Sequence, residues 1–110
     1  MAFELFQSEK TGKYHIRLRA RNGQIVLSGE AYNQKSGAQN GIQSIIKNTA
    51  DGDGQFERLK SKNGDPYFVL KAKNGEVIGK SEMYSSNSAM NKGIASVIKN
   101  AQAGVIKDLT

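Results

Sequence analysis

Basic and aromatic side chains recur at alternate positions in two stretches of the sequence, with Val69 as the one exception in the second stretch. They are His15, Arg17, Arg19 and Arg21 in the first stretch, and Tyr67, Lys71 and Lys73 in the second. Alternation with a period of two places side chains on one face of a β-strand. A sheet face that carries cations and aromatic rings can track phosphates and stack bases, as binders of single-stranded nucleic acid do. These residues are therefore the candidate nucleic-acid or anion site.

The same pattern has a purely structural explanation. A sheet that is covered on one side needs polar residues on its other side, and Lys and Arg on strands also discourage aggregation. The formal net charge of +6, from 16 Lys and Arg against 10 Asp and Glu, favours anionic partners in general. A charge of this size also keeps a small protein in solution, so both interpretations stay open.

The sequence contains few of the residue types that catalytic sites require. The chain has no Cys, and its only His is His15. A lone His without Cys gives neither a nucleophile–base pair nor a metal site. Ser44 and Ser96 recur, but neither lies in the turn that activates a nucleophilic serine. The sequence predicts no catalytic, metal-binding or cofactor-binding residue, and hence a protein that is not an enzyme.

Two Glu-x-Tyr segments could be imagined as a symmetric pair of acid–base sites. They are Glu30 with Tyr32 and Glu82 with Tyr84. General acid–base catalysis needs a second group of suitable type within hydrogen-bond reach, and nothing nearby in the sequence supplies one. A structural role is therefore expected, with each Glu accepting from backbone donors or pairing with Lys and each Tyr filling a corner of the core.

The segments that carry these residues occur twice in the sequence. Gly12 to Asn48 aligns with Gly64 to Asn100 at a constant offset of 52, with 14 identities in 37 pairs. Before Gly12 the offset is 53, where "FELFQS" matches "FERLKS". Such a fixed period indicates a tandem duplication. We expect one domain, residues 1–110, made of repeat 1 (1–50) and repeat 2 (55–110) joined by a linker at 50–55, because half the chain buries too little surface to fold alone.

Each copy reads as three strands and a helix. The expected strands begin at Phe3, Tyr14 and Gln24 in copy 1 and at Phe56, Tyr67 and Glu76 in copy 2. Asn22-Gly23 and Asn74-Gly75 predict type I′ hairpin turns between the second and third strands. The period then changes: apolar residues and a glycine recur at i, i+3, i+4, i+7 and i+8, which indicates a helix face. They are Ala38, Gly41, Ile42, Ile45 and Ile46, and again Met90, Gly93, Ile94, Val97 and Ile98.

The helix ends and the helical glycines are predicted from the same stretches. Asn33 and Ser86 are the expected N-caps, and the helices are expected to end near Asn48 and Asn100. A glycine in the middle of a helix costs about 1 kcal/mol relative to Ala. Its presence on the apolar face in both copies predicts a close approach between the helix and the sheet.

The residues kept in both copies resemble the YegP-like family of small bacterial proteins. The resemblance covers essentially the whole chain and rests on the Asn-Gly turn, Glu-x-Tyr and Gly-Ile-x-Ser-x-x-Lys-Asn. It implies an α+β fold in which tandem β3-α-β repeats form a single antiparallel sheet with two helices on one face. It further implies pseudo-two-fold symmetry with exchanged C-terminal strands, Val105 to Leu109 pairing in the other half. The family implies no activity, cofactor or catalytic residue. Copy 1 has Gln34 where copy 2 has Ser86, so its helix cap is in question.

These observations predict a non-enzymatic interaction or accessory module. The alternative is weak binding of single-stranded nucleic acid or another polyanion through the basic face of the sheet. The expected partner is accordingly a protein or a polyanion, and the chain itself is expected to be a monomer that is an internal pseudo-dimer. The start "MAFELFQSEK" lacks the basic and apolar regions of a signal peptide, and no apolar run reaches the roughly 20 residues that span a bilayer. A cytoplasmic location is expected.

Overall fold

The computed structural model describes residues 2–110, which form an α+β fold of seven strands and two helices. In chain order the elements are β1 (Ala2–Gln7), β2 (Tyr14–Arg19), β3 (Ile25–Tyr32), α1 (Lys35–Asn48), β4 (Phe56–Lys60), β5 (Pro66–Lys71), β6 (Val77–Lys80), α2 (Asn87–Ala103) and β7 (Ile106–Asp108). The three-strand, one-helix order of each copy is as the sequence predicts.

All seven strands lie in one sheet, in the order β4-β5-β6-β3-β2-β1-β7. Five of the neighbouring pairs are antiparallel. The pair β1 and β7 is parallel, with Phe3 beside Ile106 and Leu5 beside Asp108. The sheet is therefore mixed, and the expectation of a single antiparallel sheet is wrong. The physical reason is that β1 and β7 are not joined by a hairpin: α2 carries the chain from β6 to the far edge of the sheet, so no tight turn forces β7 to run antiparallel to β1.

The last strand of copy 2 pairs with β1, and within residues 2–110 no equivalent strand pairs with β4. The Phe3 amide in β1 donates to the Val105 carbonyl at 2.8 Å, and the equivalent Phe56 amide in β4 donates to the Asp53 carbonyl at 3.1 Å. Beyond this bond copy 2 continues as β7, whereas copy 1 turns directly into β4. Within residues 2–110 no strand lies beside β4 on its outer side. A full reciprocal exchange does not form because the chain between Asp53 and Phe56 is too short to supply a strand.

Both helices pack on one face of the sheet and share one core. α1 contacts β5 and β6 as well as the strands of its own copy, and α2 contacts β1, β2 and β3. The largest fully buried side chains come from both copies and include Phe3, Leu18, Phe68, Leu70 and Val97. The apolar faces predicted from the two periodicities therefore meet in a single layer.

The Asn-Gly hairpins use a different turn from the predicted type I′. The Gly23 amide donates to the Ala20 carbonyl at 2.9 Å, and the Ala20 amide donates to the Gln24 carbonyl at 2.8 Å. Gly23 has φ of +85°, and no other residue type in the described chain has positive φ. The central residues are thus Arg21 and Asn22, and the turn closes with a glycine bulge. Copy 2 repeats these bonds, and in both copies the strand alternation ends before the turn.

The helix ends differ in part from the predictions. The N-cap of α1 is Gln34, which makes no side-chain cap bond, so the Asn33 prediction is wrong. Ser86 caps α2 as predicted, and its Oγ accepts from the Ala89 amide at 3.1 Å. α1 ends where the sequence predicts, whereas α2 runs on to Ala103, where a left-handed glycine ends it.

Candidate functional site

The predicted basic face divides into two patches. His15, Arg17 and Arg19 lie on β2, while Tyr67 and Lys71 lie on β5, with β3 and β6 between them. Three strand spacings separate β2 from β5 by about 14 Å. The remaining two predicted residues leave this face, because they belong to the hairpin turns and line clefts beside the helices. They are Arg21 and Lys73.

Carboxylates of the sheet itself neutralise much of the positive charge. The Glu4 Oε1 atom accepts from Arg17 Nε at 2.6 Å and from Arg19 Nε at 2.8 Å. The hydrogen bond from Arg19 is the largest of the effects that hold the pKa of Glu4 below its usual value, although desolvation opposes it. Lys71 Nζ lies 2.9 Å from Glu57 Oε2. The open face therefore attracts anions less than its count of Lys and Arg suggests.

The aromatic rings of the open face are covered by neighbouring side chains. Phe6 stacks on His15 with 5.3 Å between ring centroids, and the Arg17 guanidinium lies 4.2 Å from the Phe6 centroid. Lys80 Nζ lies 5.3 Å from the Tyr67 centroid. Sequence reasoning missed Phe6, Glu4 and Lys80. The alternation of the first strand, in which Glu4 and Phe6 lie between buried residues, was the signal that could have found the first two.

The Glu-x-Tyr segments serve packing. An ideal Cβ added to Gly41 would lie 2.3 Å from Tyr32 Oη, and one added to Gly93 would lie 2.2 Å from Tyr84 Oη. Burial, and secondarily the nearby glutamate, raises the pKa of both tyrosines. Glu30 and Glu82 are exposed and make no ion pair within the described chain, so the expectation that they pair with Lys is wrong: both carboxylates face solvent.

β4 forms an open edge of the sheet where the equivalent edge in the other copy is covered. Leu5 of β1 and Arg58 of β4 are equivalent by the offset of 53. The Leu5 carbonyl accepts from the Leu109 amide at 2.8 Å, which ties the tail after β7 to β1. The Lys71 amide in β5 donates to the Gln55 carbonyl at 2.9 Å. Because backbone groups alternate in direction along an antiparallel strand, those of Glu57 and Leu59 also face β5, and those of Arg58 face outward.

A groove of about 330 Å³ runs between β4 and α2. Its lining residues are Arg58, Leu59, Lys60, Asn87, Met90 and Asn91. The equivalent groove between β1 and α1 is lined partly by Ile106 and Asp108 of β7. Arg58 lies across the β4 groove, with Nε donating to Asn91 Oδ1 at 2.9 Å and Nη2 lying 3.3 Å from Asp53 Oδ2. We refer to Arg58, Lys60 and this groove as the β4 edge.

Metal sites and membrane-spanning helices were the other two features considered for the described residues. Residues 2–110 contain no cluster of three or more His, Cys, Asp or Glu side chains able to hold a metal ion. Neither helix of this part of the chain is long and apolar enough to cross a membrane.

Comparisons with known proteins agree with one another. The profile of a domain of unknown function, DUF1508, matches the chain twice, at residues 9–53 and 61–108. The UPF0339 protein YegP of Yersinia pestis is 52% identical over 101 residues, covering 92% of this chain and 89% of the relative. A UPF0339 protein of Acinetobacter baylyi is 47% identical over 108 residues, covering 98% and 96%.

Solved structures show the same fold. The solution NMR structure of a UPF0339 protein from Shewanella oneidensis superposes with a TM-score of 0.90 at 42% identity, over 99% of this chain and 91% of that one. The solution NMR structure of YegP from E. coli, a protein of unknown function, gives a TM-score of 0.90 at 37% identity, over 99% and 92%.

Proposed function

The chain belongs to the DUF1508, or YegP-like, family, and from that premise we propose that it is a non-enzymatic interaction module whose β4 edge receives an extended segment of a partner protein. The relatives are proteins of unknown function, so the proposal rests on the geometry. The observation that carries it is the inequality of two equivalent edges. β1 is covered by β7, while β4, which repeats the β1 sequence as "FERLKS", is an edge strand. Adding a strand to such an edge is a common mode of peptide recognition.

The β1 edge indicates what the bound segment would be. Five residues, 105–109, run parallel to β1, bonded at both ends through Phe3 and Leu5. A bound segment of similar length would run parallel to β4 and hydrogen-bond to the backbone of Arg58. An apolar side chain at the position of Ile106 would face Met90, and acidic side chains would meet Arg58 and Lys60.

The charges of the β4 edge favour a foreign acidic segment over a second copy of this chain. Two β4 edges brought together would oppose Arg58 and Lys60 with their own copies, and like charges facing across strands destabilise pairing. An acidic segment gains from the same two cations. The β4 edge thus discriminates between partners by charge as well as by backbone pairing.

A synthetic peptide tests the proposal. The probe is the chain's own segment Gly104–Thr110 with Glu in place of Thr110, the position that the register of β7 on β1 would place beside Lys60. It is titrated into ¹⁵N-labelled protein and followed by NMR. We expect shift changes in β4 and at Asn87 to Asn91. The Arg58→Pro variant removes both the outward amide, a change that edge strands tolerate, and the guanidinium charge. It should weaken binding by more than about tenfold, because one hydrogen bond to the peptide and one cation are lost together.

Two results would count against the β4 edge. One is the absence of shift changes at millimolar peptide. The other is shift changes confined to β1, which would mean that the peptide only displaces β7. The unmodified peptide of the same length is the matched control for charge and should bind more weakly.

We also propose a second candidate, weak binding of polyanions on the open face. The observation that favours it is the grouping of His15 and Arg17 around Phe6. Because Glu4 neutralises Arg17 and Arg19, Glu4→Gln should release both cations and strengthen binding to single-stranded DNA at low salt, with a steeper salt dependence. Unchanged retention on a DNA column would exclude this face as the binding surface.

For the architecture we propose an internal pseudo-dimer that arose by duplication. The support is the pairing of Ser28 in β3 with Lys80 in β6, which are equivalent by the offset of 52. Equivalent residues meet in this way at a two-fold axis. We further propose that the protein acts in the cytoplasm as a monomer; the lack of Cys in so small a chain supports a reducing compartment.

A further inference from the structure

One pair of exposed cations is identical in both copies, although only Lys47 lies in the last turn of its helix, where the helix dipole favours a cation. Lys47 and Lys99 are exposed, and neither makes an ion pair within residues 2–110. Other identical pairs have evident structural roles, such as Gly41 and Gly93 against the tyrosines. Lys47 and Lys99 each line a cleft in the protein surface.

The fold places each lysine beside the Asn-Gly hairpin of the other copy. Cleft 1, about 520 Å³, lies between the first hairpin and α2 and is lined by Ala20, Arg21, Asn22, Lys92, Ala95, Ser96, Lys99 and Asn100. Cleft 2, about 420 Å³, lies between the second hairpin and α1 and is lined by Asn40, Gln43, Ser44, Lys47, Asn48, Ala72, Lys73 and Asn74. At the offset of 52, each residue of one cleft has its counterpart in the other.

A fixed polar frame supports each cleft. Asn100 is 5% exposed, and its Nδ2 donates to the Ser96 carbonyl at 2.8 Å and to Ser96 Oγ at 3.1 Å. Asn48 donates to Ser44 in the same way, at 2.8 and 3.2 Å. Since each serine oxygen accepts from the amide, its hydroxyl proton is available to donate to a bound group. Such a donor suits an anion.

All charged side chains that line the two clefts are positive. Cleft 1 presents Arg21, Lys92 and Lys99, and cleft 2 presents Lys73 and Lys47, with no carboxylate lining either. A guanidinium binds phosphate through two parallel hydrogen bonds, and lysine adds a point charge. The volumes fall within the range of sites for small molecules, and the alanine side chains offer an apolar wall.

We propose that the two clefts are pseudo-symmetric binding sites for a small phosphate ester, of which cleft 1 is the tighter. The phosphate would be held by the lysine, the serine hydroxyl and the basic residue of the facing hairpin. The third cation of cleft 1, Lys92, stands where cleft 2 has Asn40, and this difference makes cleft 1 the stronger site. No residue lines both a cleft and the groove of the β4 edge, so the proposal is independent of peptide binding there.

NMR titration of the full ¹⁵N-labelled chain tests the clefts. The probes are ribose 5-phosphate, inorganic phosphate and ribose, each added at constant ionic strength. We expect ribose 5-phosphate to shift the amides of residues 20–23 and 92–100 first and those of 72–75 and 40–48 at higher concentration. Inorganic phosphate should shift the same amides more weakly, and ribose should leave them unchanged.

Matched substitutions separate the two sites. Lys99→Gln should weaken binding in cleft 1 about tenfold, the loss expected for one hydrogen bond to a charged group, and leave cleft 2 unchanged. Lys47→Gln should do the reverse. Lys92→Asn should lower the affinity of cleft 1 toward that of cleft 2, and Asn40→Lys should raise cleft 2 toward cleft 1. Lys62→Gln removes the same charge from an exposed turn outside both clefts and is the control.

Three outcomes would overturn the proposal. Shift changes spread over all surface lysines would indicate attraction to net charge alone. Equal weakening by Lys62→Gln and Lys99→Gln would mean the same. Absence of localised shift changes for both phosphate probes would remove the clefts as anion sites.

Discussion

At the scale of single residues, each helix carries a glycine where a tyrosine hydroxyl of the same copy lies. The Tyr84 ring also stacks on Phe68, with 6.0 Å between centroids, so it has little room to withdraw from α2. Tyr32 and Gly41 repeat the arrangement in α1. The sequence correctly indicated a close approach at these glycines. In copy 1 the contact is with the sheet, because Tyr32 ends β3 and Ile16 of β2 would lie 3.1 Å from the added Cβ. In copy 2 the contacting tyrosine follows β6.

Gly93→Ala should destabilise the protein. The added methyl would lie 2.2 Å from Tyr84 Oη, and such overpacking costs about 1–3 kcal/mol. The gain in helix propensity, about 1 kcal/mol, offsets part of this. The free energy of unfolding in urea measures the difference. Gly54→Ala is the control, because no atom lies within 4 Å of its added Cβ, and its effect should stay within about 0.5 kcal/mol. Stabilisation by Gly93→Ala would contradict the packing role.

At the scale of elements, the two edges of the sheet are protected from aggregation in different ways. β7 covers β1 but is exposed along its length, and Lys35 Nζ lies 2.6 Å from Asp108 Oδ2. β4 carries Arg58 and Lys60 on its open edge. One edge is thus protected by a short strand and the other by charge, and both are recognised ways of limiting aggregation at sheet edges.

Acid should weaken the attachment of β7 to β1. The hydrogen bond from Lys35, and after it those from Thr110, lower the pKa of Asp108 to about 2. A carboxyl whose pKa is lowered in the docked state contributes its stabilisation above its ordinary pKa and loses it as pH falls through the lowered one. Exchange of the Leu109 amide proton should therefore accelerate between pH 4 and pH 2, relative to neighbouring unbonded amides. Asp108→Asn should remove this pH dependence, and an unchanged profile in that variant would refute the role of Asp108.

Arg58→Leu should make the protein self-associate. The substitution gives β4 the residue that β1 has at the equivalent position, Leu5, and removes the charge that opposes edge-to-edge pairing. Sedimentation velocity should show concentration-dependent dimers or larger species. Lys62→Leu, which adds the same apolar side chain in a turn, should remain like the unsubstituted protein. A monomeric Arg58→Leu variant would mean that the edge is protected by other features.

At the scale of the whole molecule, the two copies depend on each other. α1 packs on strands of copy 2, and α2 packs on strands of copy 1. Gln102 of α2 also donates to the Ile46 carbonyl at 2.7 Å and to Thr49 Oγ1 at 2.8 Å. The core residues of both copies form one cluster, so neither half completes a core alone.

The fragment of residues 1–48 should not fold as a monomer. It retains β1, β2, β3 and α1 but loses α2, which covers those strands in the whole chain. A chain of this length buries too little apolar surface to be stable without further support. Its ¹H–¹⁵N spectrum should be poorly dispersed, or the fragment should self-associate in sedimentation experiments. A dispersed spectrum from a monomer would show that the copies fold independently.

Local pattern was enough to determine the elements of this protein. Alternation, helical spacing and the offset of 52 predicted three strands and a helix in each copy, the buried faces and the Ser86 cap, because backbone periodicity and capping depend on neighbouring residues. The same reasoning failed at the hairpin, where the turn is centred on Arg21 and Asn22. Since that turn ends the alternation, it also removed Arg21 from the open face.

Tertiary structure alone decided which elements became neighbours. It placed β3 and β6 between the two basic patches, paired Glu4 with Arg17 and Arg19, and set β7 parallel to β1. It also brought the hairpin of each copy to the helix of the other, which created the clefts around Lys47 and Lys99. Periodicity assigns a residue to a face of its own strand or helix, whereas the order of strands depends on how distant apolar faces are buried together.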